Sequence, residues 1–235
     1  MELGRIDICC DVSMMAAYCA APRVGHLEAV LHIFSYLSSH GKSKLIMDDS
    51  YAKLEEAPKQ DWRDFYPDAK EAIPPNMPEP LGKPVQTTAF VDADHAGDTI
   101  TRCSRTGVLI YVNRAPIIWY SMKQNSVEGA SFGKALKTAV EMINGLRYKL
   151  RMFGIPIEGY TLMRVDNMSV VKNASTPSSM LKKKSNLIAY YYVRENAAAD
   201  VIRVAYKPTG TNLADMLTKT QSGTVRKRLS KRVMF

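Results

Sequence analysis

Cysteine is scarce in this sequence of 235 residues, and the few present form no useful pattern. Cys9, Cys10, Cys19 and Cys103 contain no CxxC pair, and three of the four sit close to the amino end. That argues against a disulfide framework and a zinc site, and leaves reduced thiols in an intracellular chain. Long hydrophobic runs are missing as well. No stretch approaches the roughly 18 apolar residues that cross a membrane. The opening residues, with Glu2, Arg5 and Asp7, lack the apolar centre of a signal peptide. No membrane partner is expected, and the chain reads as soluble. Acidic residues are outnumbered, 23 against 32 Lys and Arg, which gives a net charge of +9. Such a balance favours an anionic partner, nucleic acid first, by attraction that carries no chemistry of its own. Internal repeats and low-complexity tracts are also absent. With 46% hydrophobic and 23% charged residues the chain has the composition of a globular protein, long enough for one sizeable core.

Residues 1–40 read as a helical pair interrupted at Pro22. Leu27, Val30, Leu31, Phe34 and Leu37 recur at helical steps until Gly41, a face that needs something to pack on. His26 and His32 are six apart and do not share a helix face, so they are not a metal pair. Proline is then concentrated: Pro67, Pro74, Pro75, Pro78, Pro80 and Pro84 are half of the chain's 12. Such density excludes helix interior and central strand, so a linker is expected, with Trp62, Phe65 and Tyr66 pinning its first half to a neighbouring surface. A β-rich block follows. Strands are expected at Val85–Val91, Gly107–Val112 and Ala115–Tyr120, the last two joined by a tight turn at Asn113-Arg114. A helix through Phe132, Leu136, Val140, Ile143, Leu146 and Leu150 comes next, then a strand at Thr161–Val165. A helical region over Lys182–Asp200, a strand at Val201–Tyr206 and a last helix from Asn212 to Lys219 complete the pattern. Hairpin-joined strands followed by alternating helix and strand make a mixed α/β sheet.

Three aspartates take comparable places in that layout. Asp92 closes the first strand, Asp166 closes the fourth, and Asp215 falls in the first turn of the last helix. Sites on α/β sheets gather where strands end. Carboxylates brought together repel unless a cation neutralises them, which is how Mg²⁺ is held. Taken singly, each aspartate fits a helix cap or a solvated turn equally well. Taken jointly on a basic chain, they fit a divalent-metal site.

At this point the sequence resembles a known family. Phe90-Val91-Asp92-Ala93-Asp94-His95-Ala96-Gly97-Asp98, Arg105-Thr106-Gly107, Ile118-Trp119-Tyr120-Ser121-Met122-Lys123-Gln124, Val165-Asp166-Asn167-Met168-Ser169 and Asn212-Leu213-Ala214-Asp215-Met216-Leu217-Thr218-Lys219 occur in the order found in copia-type retrotransposon Pol polyproteins, in the RNase H domain that follows the reverse transcriptase. Pro22-Arg23-Val24-Gly25-His26-Leu27-Glu28-Ala29-Val30 with Ile33-Phe34-Ser35-Tyr36-Leu37 resembles the helical segment that closes the polymerase part. The resemblance implies an RNase H-like mixed five-stranded sheet flanked by helices and preceded by a short helical segment. It implies residues 1–46 as the tail of a reverse transcriptase, 47–86 as a Pro-rich linker, 87–222 as the RNase H-like domain and 223–235 as a basic tail. It implies that Asp92, Asp166 and Asp215 are catalytic and hold Mg²⁺ or Mn²⁺, two ions in the family. The reaction implied is hydrolysis of the RNA strand of an RNA–DNA hybrid. The other partner implied is the rest of a Pol polyprotein, in the cytoplasm (within a virus-like particle in the family) or the nucleus.

The departures matter too. The family's fourth carboxylate is a glutamate just before an aromatic residue at the start of the helix after the third strand. Here that place reads Ser131-Phe132-Gly133-Lys134-Ala135-Leu136, with no glutamate. Glu128 on the approach is the better substitute; Glu141 lies about 10 Å further along the helix axis. Lys134 either points to solvent or takes space meant for a metal. Ser185 and Tyr191 or Tyr192 stand where the family commonly has histidines. Nothing resembles the polymerase's own Asp-Asp motif, so no polymerisation is expected, and the resemblance is to a partly degenerate copy. The alternative to an impaired nuclease is a non-catalytic nucleic-acid-binding remnant. Lys182, Lys183 and Lys184 are expected on phosphates and Asn167 and Ser169 on 2′-hydroxyls, while Arg226-Lys227-Arg228 with Lys231-Arg232 reads as a solvated tail or a further basic contact.

Overall fold

The computed structural model describes residues 4–54, 57–98, 101–125, 131–179 and 187–235. Five strands form one mixed sheet: β1 (Thr87–Ala93), β2 (Arg105–Val112), β3 (Ala115–Lys123), β4 (Thr161–Val165) and β5 (Ile202–Tyr206). Their order is β3-β2-β1-β4-β5. The first three are antiparallel, whereas β4 runs parallel to both β1 and β5. This is the mixed five-stranded sheet expected from the sequence. The tight turn is where it was expected, with Asn113 at φ 55°, a conformation that asparagine tolerates.

Strand β1 lies at the centre and is buried along its whole length. Its alternation decides everything near the site, because successive side chains point to opposite faces. Ala89, Val91 and Ala93 enter one core with Val108 and Ile110 of β2. That core is roofed by α3 (Ser131–Met152), α4 (Met168–Ser175) and α5 (Leu187–Ala198). Phe90 enters a second core on the other face, with Leu109, Tyr111, Leu213, Leu217, Leu229 and Val233. Asp92, two residues beyond Phe90, shares its face.

Several expectations are corrected. Helix α4 was not anticipated; Asn167 caps it, its side-chain oxygen accepting from the amides of Ser169 and Val170. The segment carrying Asp215 is a 3₁₀ turn over Leu213–Leu217, not the start of an α-helix. The chain cannot continue helically there, because Thr218 turns its hydroxyl back to Asp92 and Gln221 donates to the carbonyl of Asp215. The last helix, α6, spans Gly223–Ser230 instead. The basic C-terminal residues are not a frayed tail: Leu229, Val233 and Met234 are buried, and Lys44 and Ile46 pair with Phe235 and Val233. Nor are the opening helices stacked on the proline-rich stretch. Ile6 and Cys9, at the start of α1 (Cys9–Ala16), belong to the second core, and Ser13 donates to the carbonyl of Ser121 on β3 at 2.7 Å. Helix α2 (Val24–Ser39) buries nothing, leaving Leu27, Leu31 and Phe34 exposed.

The proline-rich stretch has no helix or strand among its described residues, yet it is firmly attached. Trp62 is buried against the edge of Tyr66, while Phe65 is exposed. Glu71 is gripped by two guanidiniums of α3, Arg147 at 2.6 and 3.0 Å and Arg151 at 2.6 Å. Burial opposes ionisation of Glu71, but Arg147 and Arg151 more than offset it and hold the carboxyl at about 2. Its folded value lies below the unfolded one, so this stabilisation is present above about pH 4.5 and is lost as pH falls towards 2. Replacing Glu71 with Ala leaves buried Arg147 unpaired and should cost roughly 3 kcal/mol in urea unfolding at pH 7. An unchanged midpoint would show that the clamp adds nothing.

Candidate metal centre

Three elements from distant parts of the chain meet at the end of β1. Asp92 stands in register opposite Gly107 of β2. The glycine is required: a Cβ there would lie 2.9 Å from the carbonyl oxygen of Ala214 and 2.8 Å from a Thr218 methyl. Without a side chain at 107, the 3₁₀ turn settles directly on the sheet. Asn212 fixes it, donating from its amide to the carbonyl of Val91 at 3.1 Å and accepting from Ala214 N. Asp215 is thereby carried to Asp92. Asp166 arrives at the end of β4, the parallel neighbour of β1.

Asp92, Asp166 and Asp215 each offer an oxygen within 4.8 Å of the others'. Each ligand is also held. The Thr218 hydroxyl donates to Asp92 Oδ2, and the Thr209 hydroxyl donates to Asp166 Oδ2 at 2.8 Å. Oδ1 of Asp215 is buried with no hydrogen-bond donor, the condition of a ligand atom that lacks its cation. Lys219 Nζ stands 3.3 Å from that atom, near enough for an ion pair though not aligned as a hydrogen bond.

The electrostatics agree with the geometry. Burial pushes the Asp215 carboxyl up to about 7, helped by the charge of Asp92 and opposed by Lys219. Burial likewise raises Asp92, against the Thr218 hydrogen bond and with the charge of Asp166. Burial works against the charge on Lys219, but Asp92, Asp215 and Asp166 together more than offset it and raise its pKa. Crowded carboxylates in a sheltered place are the donor set of a hard divalent cation, so the residues fit Mg²⁺ or Mn²⁺.

The remaining expected site residues divide. Asp94 accepts from the Arg105 amide at the strand end, apart from the cluster, as a residue matching no catalytic position should. Asn167 is half-buried beside Asp166 with its oxygen used as the helix cap, and Ser169 is exposed. Lys134 is half-buried in the first turn of α3, and exposed Glu141 pairs with Lys137 at 3.3 Å. Glu128, Lys182, Lys183, Lys184 and Ser185 lie outside the described residues. The sequence reading passed over Gly107, Thr209, Asn212, Thr218 and Lys219 as site residues. Four of these five lay inside quoted motifs, where a small or hydroxyl residue beside an acidic one was the only signal.

With this geometry in place, the comparisons can be weighed. No protein-family model matches the chain. It is 26% identical over 155 residues to the retrovirus-related Pol polyprotein from transposon RE2 of Arabidopsis thaliana, covering 65% of this chain and 11% of that one. It is 31% identical over 134 residues to that from transposon TNT 1-94 of Nicotiana tabacum, covering 55% and 10%. The chain is a relative of transposon Pol polyproteins. It spans about a tenth of the length of the curated relatives it matches. Among solved structures, this Pol-related chain is similar to the N-terminal RNase H domain of Rv2228c from Mycobacterium tuberculosis. That overlay has 12% identity and a TM-score of 0.45, covering 63% of this chain and 97% of that one, and no argument rests on it.

Two outcomes test the site. The folded pKa of Asp215 lies above its unfolded value of about 3.9. Its stabilising contribution is therefore complete below about pH 4 and is lost as pH rises through about 7. In chelator, the melting temperature should fall across that window; Asp215→Asn should flatten the fall, and Mn²⁺ at pH 8 should reverse it. Gly107→Ala should push the 3₁₀ turn off the sheet and weaken Mn²⁺ binding about tenfold or more by calorimetry.

Proposed function

We propose that this Pol-related chain contributes an RNase H-like nuclease centre that hydrolyses the RNA strand of RNA–DNA hybrids. The observation that carries this reading is the convergence of Asp92, Asp166 and Asp215, whose oxygens lie within 4.8 Å of one another at the end of the central strand. When bound, a divalent ion supplies a Lewis acid for the phosphoryl oxygen and a water that ionises near neutral pH.

The chain's own residues do the rest. Asp92 and Asp215 are buried and rigidly placed; Asp166, half-buried, opens the cluster to solvent and to a phosphate. Thr218 and Thr209 each occupy one oxygen of Asp92 and Asp166, which leaves the other oxygen of each pointed inward. Asn167 keeps its amide hydrogens while its oxygen caps α4, so it donates to a groove 2′-hydroxyl, with the exposed Ser169 hydroxyl beside it. A 2′-hydroxyl contact is what separates RNA from DNA at such a site. Lys182, Lys183 and Lys184 supply phosphate contacts without sequence choice. The rest of a Pol polyprotein is the natural partner, and the cytoplasm or nucleus the place of action. No helix among the described residues is long and apolar enough to cross a membrane.

A second reading has its own support. Among the described residues the cluster holds three carboxylates, and the first turn of α3 contains no acid. A site short of one ligand binds hybrid and cleaves it slowly or not at all.

One assay separates the two. Labelled hybrid incubated with Mn²⁺ should be cleaved in its RNA strand, and Asp92→Asn should reduce the rate to background. Ser131→Glu, which restores an acid immediately before Phe132, should raise the rate about 10–100-fold. Salt-sensitive hybrid binding with no cleavage by either the natural chain or Ser131→Glu would establish the remnant reading instead.

A further inference from the structure

We propose that the ammonium of Lys219 is a resident counter-cation of the carboxylate cluster, so that the cluster takes a single divalent ion and Lys219 stands where a second would bind. The inference rests on the metal-centre reading above and assigns its ion count and a role to a residue outside the carboxylate set.

The position of Lys219 is determined by its neighbours. Thr218, immediately before it, is buried and tied to Asp92, and Gln221, two residues on, donates to the Asp215 carbonyl at 2.8 Å. The backbone at 219 is therefore pinned on both sides at the rim of the cluster. From there Nζ reaches to 3.3 Å from Asp215 Oδ1, the buried oxygen that no donor satisfies. Asp215 itself is only 5% exposed. The lysine side chain is 46% exposed, so its stem runs over the surface and only its head faces the carboxylates.

Charge counting gives the stoichiometry. The three carboxylates carry −3 and Lys219 carries +1, which leaves −2, the charge that one divalent ion neutralises. Two such ions would leave the same place at +2 with an ammonium a few ångströms away, a repulsion that a sheltered site screens poorly. An ammonium in this place also has a use. It is a compact charge with three donors, suited to a non-bridging oxygen of the phosphodiester once the single ion holds another. Arg226 and Arg114 are no substitutes, since each is paired with its own aspartate, Asp11 at 2.7 Å and Asp48 at 2.9 Å.

The test counts Mn²⁺ bound per chain by electron paramagnetic resonance and equilibrium dialysis. It compares the natural protein, Lys219→Met, Lys219→Gln and Lys219→Arg, each first shown to melt cooperatively. The natural protein and Lys219→Arg should bind one ion. Lys219→Met and Lys219→Gln should gain a second, or bind the first about tenfold more tightly, because the competing charge is gone. Two ions in the natural protein, or neutral variants unchanged in count and affinity, would overturn the proposal while leaving the metal centre intact. No Mn²⁺ bound by any folded variant would overturn the metal-centre reading itself, and the proposal with it.

Discussion

Mutual repulsion among Asp92, Asp166 and Asp215 is the constraint around which the rest of the molecule is arranged. Three carboxylates within 4.8 Å would separate if their backbones were free to move. They do not, because each is carried by an element locked for other reasons. β1 is buried on both faces, β4 is paired on both edges, and the 3₁₀ turn lies under the second core. Hydrophobic packing supplies the rigidity, and the electrostatic cost is concentrated in one place where a cation can relieve it. The raised pKa values of Asp92 and Asp215 are that cost made visible.

A set of small polar residues converts this packing into geometry. Gly107 removes a side chain so that the turn can approach, and Asn212 joins the turn to the backbone of β1. Thr218 and Thr209 each engage one oxygen of a carboxylate and so orient the other. None of these residues is chemically reactive. Their joint effect is that the oxygens of Asp92, Asp166 and Asp215 face one another instead of solvent.

The periphery follows a different logic. The proline-rich stretch attaches through charge, with Glu71 between Arg147 and Arg151, and through main-chain pairing of Val85 with Pro156 and Glu158. The amino-terminal and carboxy-terminal segments meet each other beneath the sheet, where Leu45 pairs with Met234. Their packing forms the floor of the second core, on which the turn carrying Asp215 rests. Only α2 stands apart, its apolar stripe open to solvent.

Local pattern was enough for the strands, for α3 and for the three aspartates. β-branched runs, a four-residue apolar rhythm and acids at strand ends are all written within a dozen neighbouring residues, and short-range stereochemistry reads them directly. What local pattern could not carry were contacts between residues far apart in the chain. Thr218 meets Asp92 across 126 positions and Asn212 meets Val91 across 121, and no window of sequence contains either pair. For the same reason the turn at Leu213–Leu217 was mistaken for a helix, α4 was overlooked, and the carboxy-terminal segment was read as a loose tail. Sequence alone determined which acids were available. Tertiary structure decided that they face one another with Lys219 at their edge, because only packing from both ends of the chain overcomes the repulsion that would otherwise keep them apart.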